Sequence, residues 1–435
     1  MSDAAKVFVI NPNNWYNKGD VTNRLGLVEG IRNALGNDAV IAIETLTSKE
    51  DSEYFRKYDV GVVESIFSTD NKRTIFLRAM IIARNILLLF SSLIFYTLLK
   101  NRVDLEFLRK KQTFLKALID AEIVISSPGG FLQDYNTSSS LLVNLFLVFF
   151  SLLLKKPVIV YAQSVGPFRN KVIRFLCRQI LNRVDAVIVR EEISQRYLED
   201  SNITRPRTYL TADATFSVRA PQHFEEEFAT QMLGKISQED KRVLVGITIL
   251  GDYIPYLGKG EMFEKYVAIL ADAANYAINK LNATIILVPQ VLNESERTAM
   301  HLLARSVVNR ERVILIDKDL PPEDVMKLIG CTELFIGTRM HSNIFALIMN
   351  VPIIAIAYEH KTHGIMKMLG LEDWVLDIRD LNSSKLISMI DELYRRRLKV
   401  KTHISKTVKE ARLRSLQSAE IVKKIYQSKV QAKPR

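Results

Sequence analysis

Six short apolar runs in the first half of this chain each end in a polar cluster: KVFVIN, VGVVES, AEIVISS, KPVIVYAQ, DAVIVR and TYLTAD. Runs of this length, bounded by Gly, Pro and polar residues and lacking polar alternation, suit strands buried on both faces, as in a parallel sheet. Helix-like stretches separate them. A second series follows, with RVLVGITIL, a helical pattern over Glu261–Asn282, ATIILVPQ, RVILIDK, PPEDVMKLIG, ELFIGT, SNIFALIMN and PIIAIAY. PPED opens a helix well, with proline in the first turn and acids near the positive helix end. The expected fold is α/β, with two Rossmann-like doubly wound domains facing a cleft. The expected boundaries are 1–222 for the first domain, 223–240 for a polar linker (HFEEEF, SQED), 241–382 for the second and 383–435 for a helical tail.

Composition narrows the function classes. The chain has 435 residues, 48% hydrophobic and 25% charged, enough for two cores. Its net charge is +12, yet residues 385–435 hold 15 Lys and Arg against four Asp and Glu. The basicity therefore belongs to the tail. No strand interleaves basic and aromatic residues, which argues against nucleic-acid binding. Two distant cysteines, Cys177 and Cys331, form neither a disulfide framework nor a zinc spacing, so a reducing cytoplasm is expected. KVFVINPN reads as a first strand, which leaves no room for a signal peptide ahead of it. The apolar runs Ile86–Leu99 and Leu141–Leu154 fall short of the ~18 residues of a spanning helix. They read as parts of helices over 79–99 and 141–154 packed on the first sheet. Lys72, Arg73, Arg78, Arg84, Lys100 and Arg102 flank the first run, so a peripheral membrane face is the alternative. The tail reads either as a solvated helical face or as an aid to such docking.

In open parallel sheets ligands collect at the carboxyl ends of strands. SSPGGFLQD places Gly129 and Gly130 where a tight turn exposes N–H groups to an anion. Asp134 closes that loop, as a reactive carboxylate or as an N-cap. YAQSVGPF adds Gln163 and Ser164 in a turn. Arg190 follows DAVIV, suited to a carboxylate or phosphate, or to a nearby acid. Asp213 follows TYL in the same way, as a functional group or as an N-cap. In GTRMHSNIFAL, Arg339 and His341 sit in the loop feeding a largely buried helix, with Ser342 beside them. That helix end favours an anion. A buried Arg339 demands an acidic partner. Lys361, in AYEHKTHGI, is a third cation at a strand end or a solvated loop lysine. His360 and His363 lack a ligand pattern, so no metal is expected. NKGD, residues 17–20, holds one glycine and no dinucleotide fingerprint, so no nicotinamide or flavin is expected. Three cations, two carboxylates and a histidine suit a small, multiply charged anion, with His341 moving protons near neutral pH.

Taken in order, NKGD, SPGGFLQD, YAQSVGP, VIVREE with Ser194, ADATF, GTRMHSNIFAL and VPIIAIAYEHKTHGIMKMLGL resemble the polysaccharide pyruvyl transferase family. The last segment looks most like the colanic-acid-type exopolysaccharide enzymes. The motifs span residues 17–371. The resemblance implies a glycosyltransferase-B-like fold. It implies transfer of the enolpyruvyl unit of phosphoenolpyruvate onto two hydroxyls of a sugar, free in a polysaccharide or on a lipid-linked repeat unit. The products would be a pyruvate ketal and phosphate, with no cofactor beyond phosphoenolpyruvate as co-substrate. Carried onto this chain, the active site is Asp134, Arg190, Asp213, Arg339 and His341. His341 is then the acid, and Asp134 or Asp213 the base for a hydroxyl. Arg190 and Arg339 clamp phosphoenolpyruvate, helped by Lys361, Ser342, Gly129 and Gly130. The implied location is cytoplasmic, at the inner face of the plasma membrane. The family's glycine motif often has three glycines; here Ser127 and Pro128 precede only two, which alters a loop and leaves the charges alone. The alternative is a sugar-nucleotide-dependent glycosyltransferase of the same fold. It would need a ribose-binding carboxylate in the second domain, where Glu372 and Asp377 stand without a nucleotide constellation.

Overall fold

Every apolar run read as a strand is one, and among the described residues every strand pairing is parallel. The computed structural model describes residues 4–67, 80–81, 83–91, 109–134, 138–221, 242–251 and 260–432. The expected linker, the apolar run beyond residue 91 and its flanking cations other than Arg84 lie outside the described residues.

The first sheet contains β1 (Lys6–Asn13), β2 (Val40–Thr45), β3 (Gly61–Glu64), β4 (Ile123–Ser126), β5 (Gly129–Leu132), β6 (Val158–Val165), β7 (Ala186–Val189) and β8 (Arg207–Leu210). Their order is β3-β2-β1-β4-β6-β7-β8, with β5 added alongside β6. The second contains β9 (Val243–Thr248), β10 (Ala283–Leu287), β11 (Val313–Leu315), β12 (Leu334–Gly337), β13 (Ile353–Ala357) and β14 (Val375–Asp377), ordered β11-β10-β9-β12-β13-β14. β4, β6, β7, β12 and β13 are buried along their whole length, as strands covered on both faces must be. Each sheet reverses its winding beside its first strand, and crevices form at the carboxyl ends there. The sequence reading omits β2, β5 and β14. β5 is GGFL, whose glycines carry no strand preference, and β14 is three residues long. β2 carries a full apolar signal broken only by Glu44.

Glu44 is almost fully buried and accepts from the Asn11 N–H (3.1 Å) and the Ser65 hydroxyl (2.7 Å). Burial pushes its carboxyl up to about 8. The folded state therefore holds a proton that the unfolded chain releases near its ordinary pKa. Between those two values the folded state binds more protons, so its stability falls as pH rises through that window. Glu44→Gln keeps the shape and removes the titration. It is expected to melt higher than the parent at pH 8 but not at pH 5, a differential of roughly 4 kcal/mol. Equal offsets at both pH values would refute this.

The tail does not stand apart. Helix Ser383–Tyr426 buries Leu386, Ile390, Leu393, Val400, Ile404 and Ala411 in the core of the second domain. Further along, Ala419, Val422 and Tyr426 join the first domain's core. Ser415 Oγ meets Ser217 Oγ at 2.7 Å, and the Ser418 hydroxyl donates to Thr211 Oγ1 at 2.8 Å. The 44-residue helix, about 65 Å long, is thus a strap across both domains. Its exposed side carries Lys385, Arg395, Arg396, Lys399, Lys406 and Lys409, a solvated face for much of the chain's basic charge. Among the described residues, no helix is long and apolar enough to cross a membrane.

Candidate active site

The site begins with a buried ion pair at the ends of two adjacent strands. Arg190 follows β7 and Asp213 follows β8; their side chains are 1% and 0% exposed and bond directly. Arg190 Nε also donates to Ser164 Oγ at 2.8 Å. Asp213 caps the short helix Ala214–Ser217, accepting the Thr215 N–H at 2.9 Å. Burial alone would raise the Asp213 carboxyl. The Arg190 guanidinium, with His341 and the Thr215 N–H, outweighs it and holds Asp213 well below the usual carboxylate range. Asp213 therefore stays ionised near neutral pH and is a poor proton acceptor.

His341 reaches this pair from the other domain. The sequence places Arg339 and His341 in a loop; the structure places Arg339 at the N-cap of helix Met340–Ile348 and His341 in its first turn. The helix begins early because the Arg339 carbonyl already accepts the Asn343 N–H (3.2 Å), opening the helical ladder without a side-chain cap. His341 Nε2 lies 2.9 Å from Asn23 Nδ2 and 3.7 Å from Asp213 Oδ2. Asn23 Oδ1 accepts from the Thr215 N–H (3.2 Å) and hydroxyl (3.1 Å). That orients the Asn23 amide so that its Nδ2 donates to His341 Nε2. In this arrangement Nε2 accepts from Asn23, with the Asp213 carboxylate as its other neighbour.

The NKGD glycine makes room for the ring. A Cβ on Gly19 would lie 2.2 Å from His341 Nδ1. Alanine normally favours a helix interior by ~1 kcal/mol over glycine. Gly19→Ala is nevertheless expected to destabilise the fold by ~1–3 kcal/mol, because a methyl group there drives into the imidazole. Thermal unfolding checks this, and an unchanged Tm would show that the close approach is not required.

Two further cations complete the cluster, each with its own acid. Arg339 Nε donates to Glu296 Oε1 at 2.8 Å, and its Nη1 lies 3.4 Å from the Tyr358 hydroxyl. Glu296 also accepts the Val291 N–H at 3.1 Å. Arg339 is only partly buried, 26% exposed, and the acid it pairs with is a buried protein carboxylate. Lys361, in the first turn of helix His360–Met368, pairs with Glu359 at 2.5 Å. Burial disfavours its charge, but Glu359 outweighs burial and keeps its pKa above the ordinary value, so it stays cationic; Arg190 acts on it across the cleft.

The structure does not bring every expected residue here. Asp134 accepts the N–H groups of Arg169 (2.6 Å) and Asn170 (2.9 Å), pinning the turn before helix Lys171–Leu181. Both bonds fall on Oδ2, and the other carboxylate oxygen is buried without a hydrogen-bond partner. Ser342 is fully buried; its hydroxyl donates to the Arg339 carbonyl (2.7 Å) and meets Thr248 Oγ1 (2.8 Å), so it steadies the helix start. Gly129 opens β5 at φ 149°, and a Cβ on Gly130 would lie 3.7 Å from Arg190 Nη2, which places the glycine loop beside the guanidinium. Asp377 is held by Arg379 through Nε (2.7 Å) and Nη2 (2.6 Å), which leaves it a poor ribose ligand. Among the described residues, no group of three or more His, Cys, Asp or Glu side chains is placed to hold a metal ion.

Sequence reasoning missed Asn23 and Glu296, which carry no motif of their own, and passed over Glu359 inside AYEHKTHGI. It also missed the contacts that close the cleft. Lys18 Nζ lies 2.5 Å from Asp319 and 3.8 Å from the Trp15 ring centre. Tyr54 and Lys57 reach Glu323 at 2.9 and 2.5 Å. On the other side His360 Nε2 lies 3.6 Å from Glu191 Oε1.

With this geometry in hand, the comparisons with known proteins can be placed. The amylovoran biosynthesis protein AmsJ of Erwinia amylovora is 26% identical over 274 residues, 60% of this chain and 64% of the relative's length. Among solved structures, Anabaena Alr3699/HepE in complex with UDP aligns over 97% of this chain and 100% of its own, with TM-score 0.57 and 14% identity. The S. aureus MnaA–UDP co-structure aligns over 99% of each chain, with TM-score 0.62 and 12% identity. Those likenesses show the glycosyltransferase-B and epimerase fold and nothing of the chemistry. The family model described as polysaccharide pyruvyl transferase matches residues 17–360. That span takes in both domains and each residue of the cluster except Lys361, and the chain belongs to the polysaccharide pyruvyl transferase family.

Proposed function

We propose that the protein transfers the enolpyruvyl unit of phosphoenolpyruvate onto two hydroxyls of one sugar during exopolysaccharide biosynthesis, forming a pyruvate ketal and releasing phosphate. The observation that carries this reading is the meeting of the Arg190–Asp213 pair of the first domain with His341 of the second, with Arg339 two residues from that histidine and Lys361 near enough to feel the Arg190 charge. Phosphoenolpyruvate offers a carboxylate and a phosphate, matching the donors that remain on the three cations. Each cation is paired with its own carboxylate, so its charge is held without an exposed, unpaired ion.

The chemistry follows from the placement. His341 delivers a proton to the methylene carbon, which becomes methyl and leaves a cationic centre at C2. A sugar hydroxyl attacks C2, the C2–O bond to phosphate breaks, and the second hydroxyl closes the ketal. Of the two hydroxyl protons, one replaces the proton given to the methyl group and one leaves with phosphate. Asp213, ionised throughout, steadies the imidazolium rather than taking a proton. Asp134 has no part in this scheme. No cofactor is invoked beyond the co-substrate. Both cysteines are free, in keeping with a cytoplasmic reaction.

The test is phosphate release from phosphoenolpyruvate by the purified protein across candidate sugar and lipid-linked acceptors, with the ketal identified by NMR. Parallel assays with sugar nucleotides address the glycosyltransferase alternative. Nucleoside diphosphate release with no phosphate release from phosphoenolpyruvate would overturn the proposal.

A further inference from the structure

Exposed apolar side chains are concentrated on one face of the first domain. Of fifteen large apolar side chains exposed among the described residues, Leu87, Leu142, Phe149, Leu153, Val172 and Phe175 lie on three adjoining helices. Leu87 is 71% exposed, Val172 65% and Phe175 57%, values that ordinary core packing does not leave. Helix Ser138–Leu153 packs against helix Lys171–Leu181. The helical stretch 83–91 joins them through Phe90, whose ring lies 6.2 Å from Phe146 and 5.5 Å from Phe150.

The pattern is not that of a solvated surface. Helix Ser138–Leu153 contains no charged residue. Leu142, Phe149 and Leu153 are spaced by seven and four, so they share its outward face, where a surface helix carries polar groups. Its other face is spent on the core, with Leu141, Leu145, Val148 and Phe150 buried. Exposed Arg84, Lys171, Arg174 and Arg178 lie on the same helical segments as these side chains, and helix Lys171–Leu181 has no acid, while Lys155, past the end of helix Ser138–Leu153, stands near Asp120 and Glu122. On that helix Lys171, Arg174 and Arg178 run beside Val172 and Phe175, cations flanking apolar residues.

We propose that this three-helix face docks on an anionic lipid surface, with its apolar side chains at the acyl boundary and its cations among the phosphate headgroups. The cationic rim selects this occupant, because apolar insertion and headgroup charge reinforce each other on one helix. The site differs from the tail, whose helix is a strap between the domains. The inference stands whatever group the active site transfers.

Flotation of the full-length protein with phosphatidylglycerol-containing vesicles, at low and high salt, tests it. The parent protein is expected to float with anionic vesicles and less with phosphatidylcholine alone. The triple variant Leu142→Gln, Phe149→Ser, Phe175→Ser is expected to lose binding on the order of tenfold or more. Lys171→Glu with Arg178→Glu should lose binding selectively on anionic vesicles. Circular dichroism and phosphate release with a soluble acceptor should match the parent in each variant. A parent that stays in the soluble fraction at low salt overturns the proposal. So does a folded triple variant that floats as well as the parent.

Discussion

Replacing His341 by alanine is expected to slow pyruvyl transfer by ~10²–10⁴-fold, the usual contribution of a positioned proton carrier. The loss should fall on kcat, with the KM for phosphoenolpyruvate nearly unchanged, because the cations that would hold the anion are Arg190, Arg339 and Lys361. The ring is 12% exposed, so its removal leaves little buried polar debt beyond Asn23, and the fold should survive. Near-parent turnover in His341→Ala would remove it from the chemistry. Loss of phosphoenolpyruvate binding with kcat intact would make it a binding group instead.

Arg190→Met is expected to be the most damaging substitution for stability. Arg190 and Asp213 are both almost fully buried, and removing one partner strands the other's charge, typically a cost of ~3–5 kcal/mol. Denaturant unfolding measures it. The double variant Arg190→Met, Asp213→Leu should recover much of that stability, because an apolar pair of similar volume needs no desolvated charge. It should recover no transfer activity, since it lacks both the anion clamp and the imidazolium's partner. A double variant with activity would separate the ion pair from catalysis. The same pair sets a pH dependence. Asp213 is held below its unfolded pKa, so its stabilisation is complete above about pH 4 and fades as pH falls further.

The site was legible wherever chemistry sits at a strand end. Arg190, Asp213, Arg339, His341 and Lys361 each follow a buried apolar run, and such runs end at one edge of a parallel sheet. Asp134 obeys the same local pattern yet spends one carboxylate oxygen on the Arg169 and Asn170 N–H groups. A strand-end carboxylate and a turn anchor look alike in sequence, because only the direction of the side chain separates them. Asn23 was invisible for the opposite reason. It lies inside a helix with no motif, 318 residues from the histidine it orients. The tail illustrates a third limit. Its charge suggested a solvated or membrane-facing piece, while its sparse apolar positions turned out to fit two different cores in succession.

By itself the sequence determined the parallel strands, the two-domain α/β class, the family and the cationic, histidine-bearing character of the site. These follow from local periodicity and from residue types at strand ends, which a linear reading carries. The tertiary structure decided the pairings: Asn23 and Asp213 with His341, Glu296 with Arg339, Glu359 with Lys361, and the C-terminal helix with both domains. The reason is physical. Charge compensation and close approach, such as the bare Gly19 backbone against the imidazole, depend on distances between segments far apart in the chain, and no local pattern encodes them.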